Sequence, residues 1–238
     1  MSYEQRAEFD GHDLTKYMIV TDVTRQILAK RRIAQTQVPG RDGVLVSSVG
    51  LEPLEITVKG GITRRLREEV AEARRELSTA LRSKRPARLV LPDDPETFLM
   101  AIYEGGAQPS RLSHVPDVEL TFLCPDPVAH GRRRAVVVSG ESKVNAGGNH
   151  PSRPRVTVKP PAGAEWSITN VDTGEFVRVR ASFDGSQTVV VDMDDERCTI
   201  NGADAAVDVS SDFFPLDGAT TLRVSGGEAE LEWDERWM

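Results

Sequence analysis

Leu54-Glu55-Ile56-Thr57-Val58-Lys59-Gly60-Gly61 alternates apolar and polar side chains with a period of two and then meets paired glycines. That is the pattern of a half-buried strand stopped by turn-forming residues. Immediately beyond, Leu66, Val70, Ala73, Leu77 and Leu81 recur at spacings of four, three, four and four among Arg and Glu. The spacing predicts one amphipathic helix over about Arg64 to Arg82, with Thr63 as its N-cap. After Pro86 the period returns to two in Ala87-Arg88-Leu89-Val90-Leu91, Phe98-Leu99-Met100-Ala101-Ile102-Tyr103 and Val118-Glu119-Leu120-Thr121-Phe122-Leu123. The links, Pro92-Asp93-Asp94-Pro95 and residues 105–116, are rich in breakers. Strands, one helix and strands again make the first half an α+β domain, a β-sandwich or split barrel with a single helix.

Toward the N-terminus, Tyr17-Met18-Ile19-Val20 and further apolar stretches up to Val49 are punctuated by Pro39-Gly40-Arg41-Asp42-Gly43, which predicts an early β-hairpin. Toward the C-terminus, Pro125-Asp126-Pro127 and the basic triplet Arg132-Arg133-Arg134 read as the end of a strand and an exposed linker. The expected domains are therefore 1–131 and 132–238. Beyond that boundary come Ala135-Val136-Val137-Val138, Arg155-Val156-Thr157-Val158-Lys159, Glu165-Trp166-Ser167-Ile168-Thr169, Phe176-Val177-Arg178-Val179-Arg180 and Thr188-Val189-Val190-Val191-Asp192. Arg197-Cys198-Thr199-Ile200, Thr221-Leu222-Arg223-Val224 and Ala229-Glu230-Leu231-Glu232-Trp233 follow. Short strands at close intervals without helical periodicity predict an all-β antiparallel sandwich, so the chain as a whole is mainly β.

Composition narrows the function. With 238 residues, 39% hydrophobic and 28% charged, the chain has enough apolar material for two cores and too much for wholesale disorder. No run approaches a membrane span, and the opening Met1-Ser2-Tyr3-Glu4-Gln5-Arg6 lacks the basic head and apolar run of a signal peptide. Cys124 and Cys198 stand alone, without a paired metal or redox spacing, and read as free thiols of a reducing cytoplasm. Residues 131–238 hold 12 basic and 18 acidic side chains, against 18 and 19 in residues 1–130. Net acidity argues against a non-specific grip on DNA phosphates.

Candidate chemistry is sparse. Asp192-Met193-Asp194-Asp195-Glu196 could hold calcium but lacks the glycine and distal glutamate of an EF-hand loop, so it reads as a solvated turn. His12, His114, His130 and His150 fall in separate loop-like regions with no His-x-x-x-His pair. No nucleophile elbow or phosphate loop opens the helix. Two facing carboxylates would suffice for a glycosidase, and sequence does not show facing. Trp166, Trp233 and Trp237 could stack on sugars; the strand positions of Trp166 and Trp233 favour the core, and Trp237 is free to be an outer-domain contact. No catalytic residue, cofactor or metal site is assigned.

The order of these motifs resembles the siphophage distal tail protein family. Phe9-Asp10-Gly11-His12-Asp13-Leu14 is similar to the family's opening Phe-x-Gly-x-Asp-Leu element, and Pro39-Gly40-Arg41-Asp42-Gly43 to its hairpin tip. The single helix follows. Leu123-Cys124-Pro125-Asp126-Pro127 resembles the close of the first domain, and Asn145-Ala146-Gly147-Gly148-Asn149 the entry to the second. Val191-Asp192, Ile200-Asn201-Gly202 and Ser211-Asp212-Phe213-Phe214-Pro215-Leu216 complete the series. The chain departs from the pattern at Asp217-Gly218-Ala219-Thr220, where the family often has Pro-Gly, and it lacks the insertion associated with host-sugar binding in some members.

The resemblance implies a non-enzymatic virion protein at the tail tip of a phage or prophage, assembled in the host cytoplasm. It implies a homo-hexameric ring of first domains joining the tail tube protein to the hub, with DNA passing through its centre without specific binding and no membrane involved. The second domains, galectin-like sandwiches, would point outward and hold other baseplate or receptor-binding proteins. A carbohydrate-binding module serving host adsorption is the alternative. The arm expected to reach a neighbour is the hairpin from about Arg25 to Ser48, with Lys30, Arg31, Arg32, Pro39, Gly40, Arg41, Asp42 and Gly43; an ordinary solvated hairpin fits the same residues.

Overall fold

The computed structural model describes residues 6–62, 67–106 and 117–238 and divides into two compact units, 1–129 and 130–237. Thr63, Leu66 and His114 lie outside the described residues. The first unit contains β1 (Glu8–Phe9), β2 (His12–Asp13), a 3-10 turn (Leu14–Lys16), β3 (Ile19–Arg25), β4 (Arg31–Thr36), β5 (Leu45–Leu51) and β6 (Leu54–Gly61). Helix α1 (Arg67–Ala80), β7 (Ala87–Leu91), β8 (Asp94–Gly105) and β9 (Asp117–Cys124) complete it. The second contains β10 (Ala129–Val138), β11 (Glu141–Asn145), β12 (Arg155–Val158), β13 (Gly163–Asn170), β14 (Phe176–Phe183), β15 (Val189–Asp192) and β16 (Arg197–Ile200). It ends with β17 (Ala203–Asp204), β18 (Ala219–Val224) and β19 (Ala229–Trp237). The protein is mainly β, with one α-helix among the described residues.

In the first unit β3, β6, β9, β8, β7, β1 and β2 are neighbours in that order, all antiparallel. The opening motif is explained residue by residue. Phe9 pairs with His12 across a two-residue turn in which Asp10 (φ 50°) and Gly11 (φ 77°) both take left-handed geometry, the requirement of a tight hairpin. Asp13 then accepts a hydrogen bond from the Thr15 N–H at 3.0 Å and starts the 3-10 turn. Phe9 and Leu14 are both fully buried, and Phe9 tilts against Phe122 at 5.0 Å between ring centroids.

The alternation in residues 54–59 sorts as the period predicts. Leu54, Ile56 and Val58 enter the core, while Glu55 and Lys59 face out. Gly60 and Gly61 do not stop the strand; they belong to β6. A side chain on Gly60 would strike the Ile19 carbonyl, so glycine here lets β3 approach across its bulge between Val20 and Asp22. Ala73, Leu77, Ala80 and Leu81 bring the helical stripe into the same core. The early strand Ile19–Arg25 pairs with β6, and the hairpin is instead made by β4 and β5 around Pro39–Gly43.

The second unit holds two antiparallel sheets. One runs β17, β16, β15, β12, β19, β10 and the other β11, β18, β13, β14. Trp166, Ile168, Val177, Phe214, Leu222 and Leu231 are among the residues that fill its core. The expectation of an exposed linker at Arg132-Arg133-Arg134 is wrong. All three lie in β10 with the exposure the sequence suggests, and two of them reach carboxylates of β19: Arg133 meets Glu232 at 3.0 Å, and the Arg134 Nε–H donates to Glu235 at 2.7 Å. His130 is likewise in β10 rather than a loop, 3.7 Å from Asp234, and His12 is in β2.

Gly147 and Gly148 enter this unit with φ of 72° and 70°. A Cβ on Gly148 would collide with the Arg236 carbonyl, to which the backbone here is bridged. Gly148→Ala adds left-handed strain to that clash, and we expect a loss of about 1–3 kcal/mol of stability, read as a lower urea midpoint. Gly218, at the departure from the family pattern, keeps a positive φ of 55°.

Candidate assembly surfaces

Between β3 and β6 the chain leaves the sheet to make the β4–β5 hairpin and returns at Leu54. The two strands pair only with each other. Every residue of β4 is exposed. The turn works because Gly40 (φ 78°) and Gly43 (φ 85°) supply left-handed positions and the Arg41 N–H closes on the Val38 carbonyl at 3.2 Å. The predicted site residues Lys30, Arg31, Arg32, Pro39, Gly40, Arg41, Asp42 and Gly43 thus fall at the base and tip of one projection.

The register reveals what their selection missed. Arg31 is opposite Leu51, Ile33 opposite Val49 and, past a bulge that sets Ser47 out of step, Gln35 opposite Val46. These pairs share one face. Arg32, Ala34, Thr36 and Leu45 occupy the other. Ile33, Val46 and Val49 are 52%, 58% and 55% exposed, and Leu45, on the other face, is exposed as well. An apolar face on a two-stranded ribbon outside any core is unstable in water unless it is covered. The basic residues caught attention by charge; the bulge hid the apolar face, because it breaks the period of two between Val46 and Val49.

Open sheet edges are distributed unevenly. β3 is a seven-residue edge, whereas β2 and β17 are two-residue edges too short to template pairing. β14 is sealed by residues 207–212: Val207 bridges Val179, the Asp208 N–H donates to the Arg178 carbonyl at 2.8 Å and the Asp212 N–H to the Phe176 carbonyl at 2.9 Å. The Asp208 carboxyl is held below its ordinary range by hydrogen bonds from the Ser210 N–H and hydroxyl.

The remaining candidates resolve into structure. Trp166 and Trp233 are buried, their indole N–H groups donating to the carbonyls of Gly226 (3.0 Å) and Ala146 (2.7 Å). Trp237 is 41% exposed near the end of β19. Residues 193–196 form the turn between β15 and β16, with Asp192 at the end of β15 accepting from the backbone N–H groups of Asp194 and Asp195 at 3.1 and 3.2 Å. Among the described residues no three His, Cys, Asp or Glu side chains are grouped to hold a metal, and no helix is long and apolar enough to cross a membrane. Cys124 and Cys198 are unpaired and buried, and burial pushes their thiols up to about 12 and about 11. With so little thiolate, neither should react with a disulfide reagent at pH 8 until the protein is unfolded, when both titrate.

A two-unit chain with a projecting hairpin, a split sheet with one helix and an attached β-sandwich defines a class. Residues 12–124 match the family described as phage tail protein RIFT-related domain, and residues 147–237 match the siphovirus-type tail component, C-terminal domain. The protein is a structural component of a phage tail. Within that class, the chain belongs to the distal tail protein family. It is 24% identical over 216 residues to the distal tail protein of Bacillus phage SPP1, covering 87% of this chain and 85% of the relative. The crystal structure of the SPP1 protein, described as a paradigm of the hub adsorption apparatus in phages infecting Gram-positive bacteria, superposes with a TM-score of 0.86. That superposition covers 98% of this chain and 99% of the other at 20% identity, and it shows the shared fold.

Proposed function

We propose that this protein is the ring-forming subunit of a phage or prophage tail tip, a homo-hexamer that joins the tail tube to the hub and receptor-binding apparatus. The observation that carries the proposal is the free β4–β5 hairpin, whose apolar face needs a second molecule. A projection on one side of a subunit and a receiving surface elsewhere make a heterologous contact, which closes into a ring when the rotation per subunit divides a full turn. Residues 1–131 would build the ring and residues 132–238 the outward module that holds other tail-tip proteins, with assembly in the host cytoplasm and DNA crossing the centre without specific binding. The work is done by surfaces, and no enzymatic step is needed. Co-expression with the tail tube and hub proteins of the same phage tests this: all three should co-purify in one particle, and a subunit recovered alone from such cells contradicts it.

The carbohydrate-binding alternative is narrowed by burial, since two of its three tryptophans are core residues and only Trp237 is placed to meet a sugar. Tryptophan fluorescence titrated with host-wall polysaccharide decides it; a saturable change lost in Trp237→Ala supports binding, and a flat titration removes it.

A further inference from the structure

The outward face of β3, β6 and β9 offers a complement to the hairpin. Cross-strand register aligns Thr24, Thr57 and Thr121 in one row, and sets Glu55 beside Leu123, which in turn faces Ile102 of β8. These rows give a strip of methyl and aliphatic surface, with Thr57, Thr121, Leu123 and Ile102 half-buried. Around it stand Asp22, Glu55, Asp117 and Glu119, all exposed, against one cation among the described residues, Lys59, which the register sets between Asp22 and Glu119. Glu55, Asp117 and Glu119 make no ion pair among the described residues. The hairpin carries the opposite balance: Ile33, Val46 and Val49 lie in the middle of one face, Arg31 stands at its base and Arg41 at its tip beside Asp42, and neither arginine is in an ion pair among the described residues.

We infer that the hairpin of one copy lies on the acid-rimmed β3–β6–β9 face of a second copy. The inference rests on the ring reading above and names the contact that builds it. The hairpin does not cover its own sheet: β4 leaves where β3 ends, β5 returns where β6 begins, and every residue of β4 is exposed. Apolar centre on apolar centre, with opposite charge at both rims, is how a sheet-on-sheet interface gains affinity and register.

Two charge-reversed proteins test the contact. In one, Arg31→Glu and Arg41→Glu invert the hairpin; in the other, Glu55→Lys and Glu119→Lys invert the face. Circular dichroism checks that both fold, and Glu55→Gln with Glu119→Gln provides a milder variant. In sedimentation velocity each reversed protein alone should associate about 100-fold more weakly than wild type, because like charges meet at every contact. Mixed in equal amounts, they should recover the ring as alternating subunits, each inverted hairpin meeting an inverted face. A wild-type ring that is indifferent to both the Lys and the Gln face variants overturns this contact and leaves the ring standing. A wild-type protein that forms no ring overturns the ring reading, and the contact with it.

Discussion

Ile33→Asp combined with Val46→Asp, two positions on one face that are not direct cross-strand partners, is expected to yield a protein that folds normally and does not assemble. Both residues sit on the hairpin's apolar face at more than half exposure and outside either hydrophobic core, so the isolated chain loses little when they change; surface substitutions away from special features stay within about 0.5 kcal/mol. In the ring proposed above the same two positions would be covered, and each substitution would place an unpaired carboxylate in a dry contact, at a cost of several kcal/mol. On that proposal the association constant should fall by at least about 100-fold per interface. Thermal unfolding and sedimentation velocity on the same sample separate the two effects. An unchanged unfolding midpoint with loss of the oligomer is expected; a retained oligomer contradicts the role given to the hairpin.

The second large effect is on stability. Trp166 is 1% exposed in the centre of the second unit's core, and its indole N–H satisfies the Gly226 carbonyl. Trp166→Ala removes the packing, opens a cavity and leaves that carbonyl without its indole donor, for a loss of about 3–5 kcal/mol. Trp237→Ala at a 41% exposed site should cost under about 1 kcal/mol. Urea unfolding followed by circular dichroism measures both, and equal effects would mean that the two indoles do not differ as described.

Period and breakers made most of this fold legible. Residues 54–59, the helical stripe at Ala73 and Leu77, and the strands of the second half form the elements their spacing predicts, since each buries one face and periodicity records that burial directly. The pairing of β3 with β6 was not legible, because nothing local tells a strand which neighbour it takes when a hairpin intervenes. Arg132-Arg133-Arg134 misled for a related reason: the run is exposed, as it reads, but it is part of β10, and the β19 carboxylates beside it, Glu232 and Glu235, are about a hundred positions away. The hairpin was half legible. Its turn announced itself through Pro39, Gly40 and Gly43, whereas its apolar face depends on a register shift at Ser47 that only the paired strands reveal. The motifs of the opening element, by contrast, each map to a backbone demand: Gly11 to a left-handed turn, Asp13 to a cap, Phe9 and Leu14 to the core.

Native mass spectrometry of the wild-type protein over rising concentration, alone and co-expressed with the tail tube and hub proteins of the same phage, tests the central claim most directly. The account predicts a dominant species at six times the 26.2 kDa subunit mass, with partners adding to that hexamer and not to the monomer. Monomer alone at every concentration, with no ring when the partners are present, would contradict it.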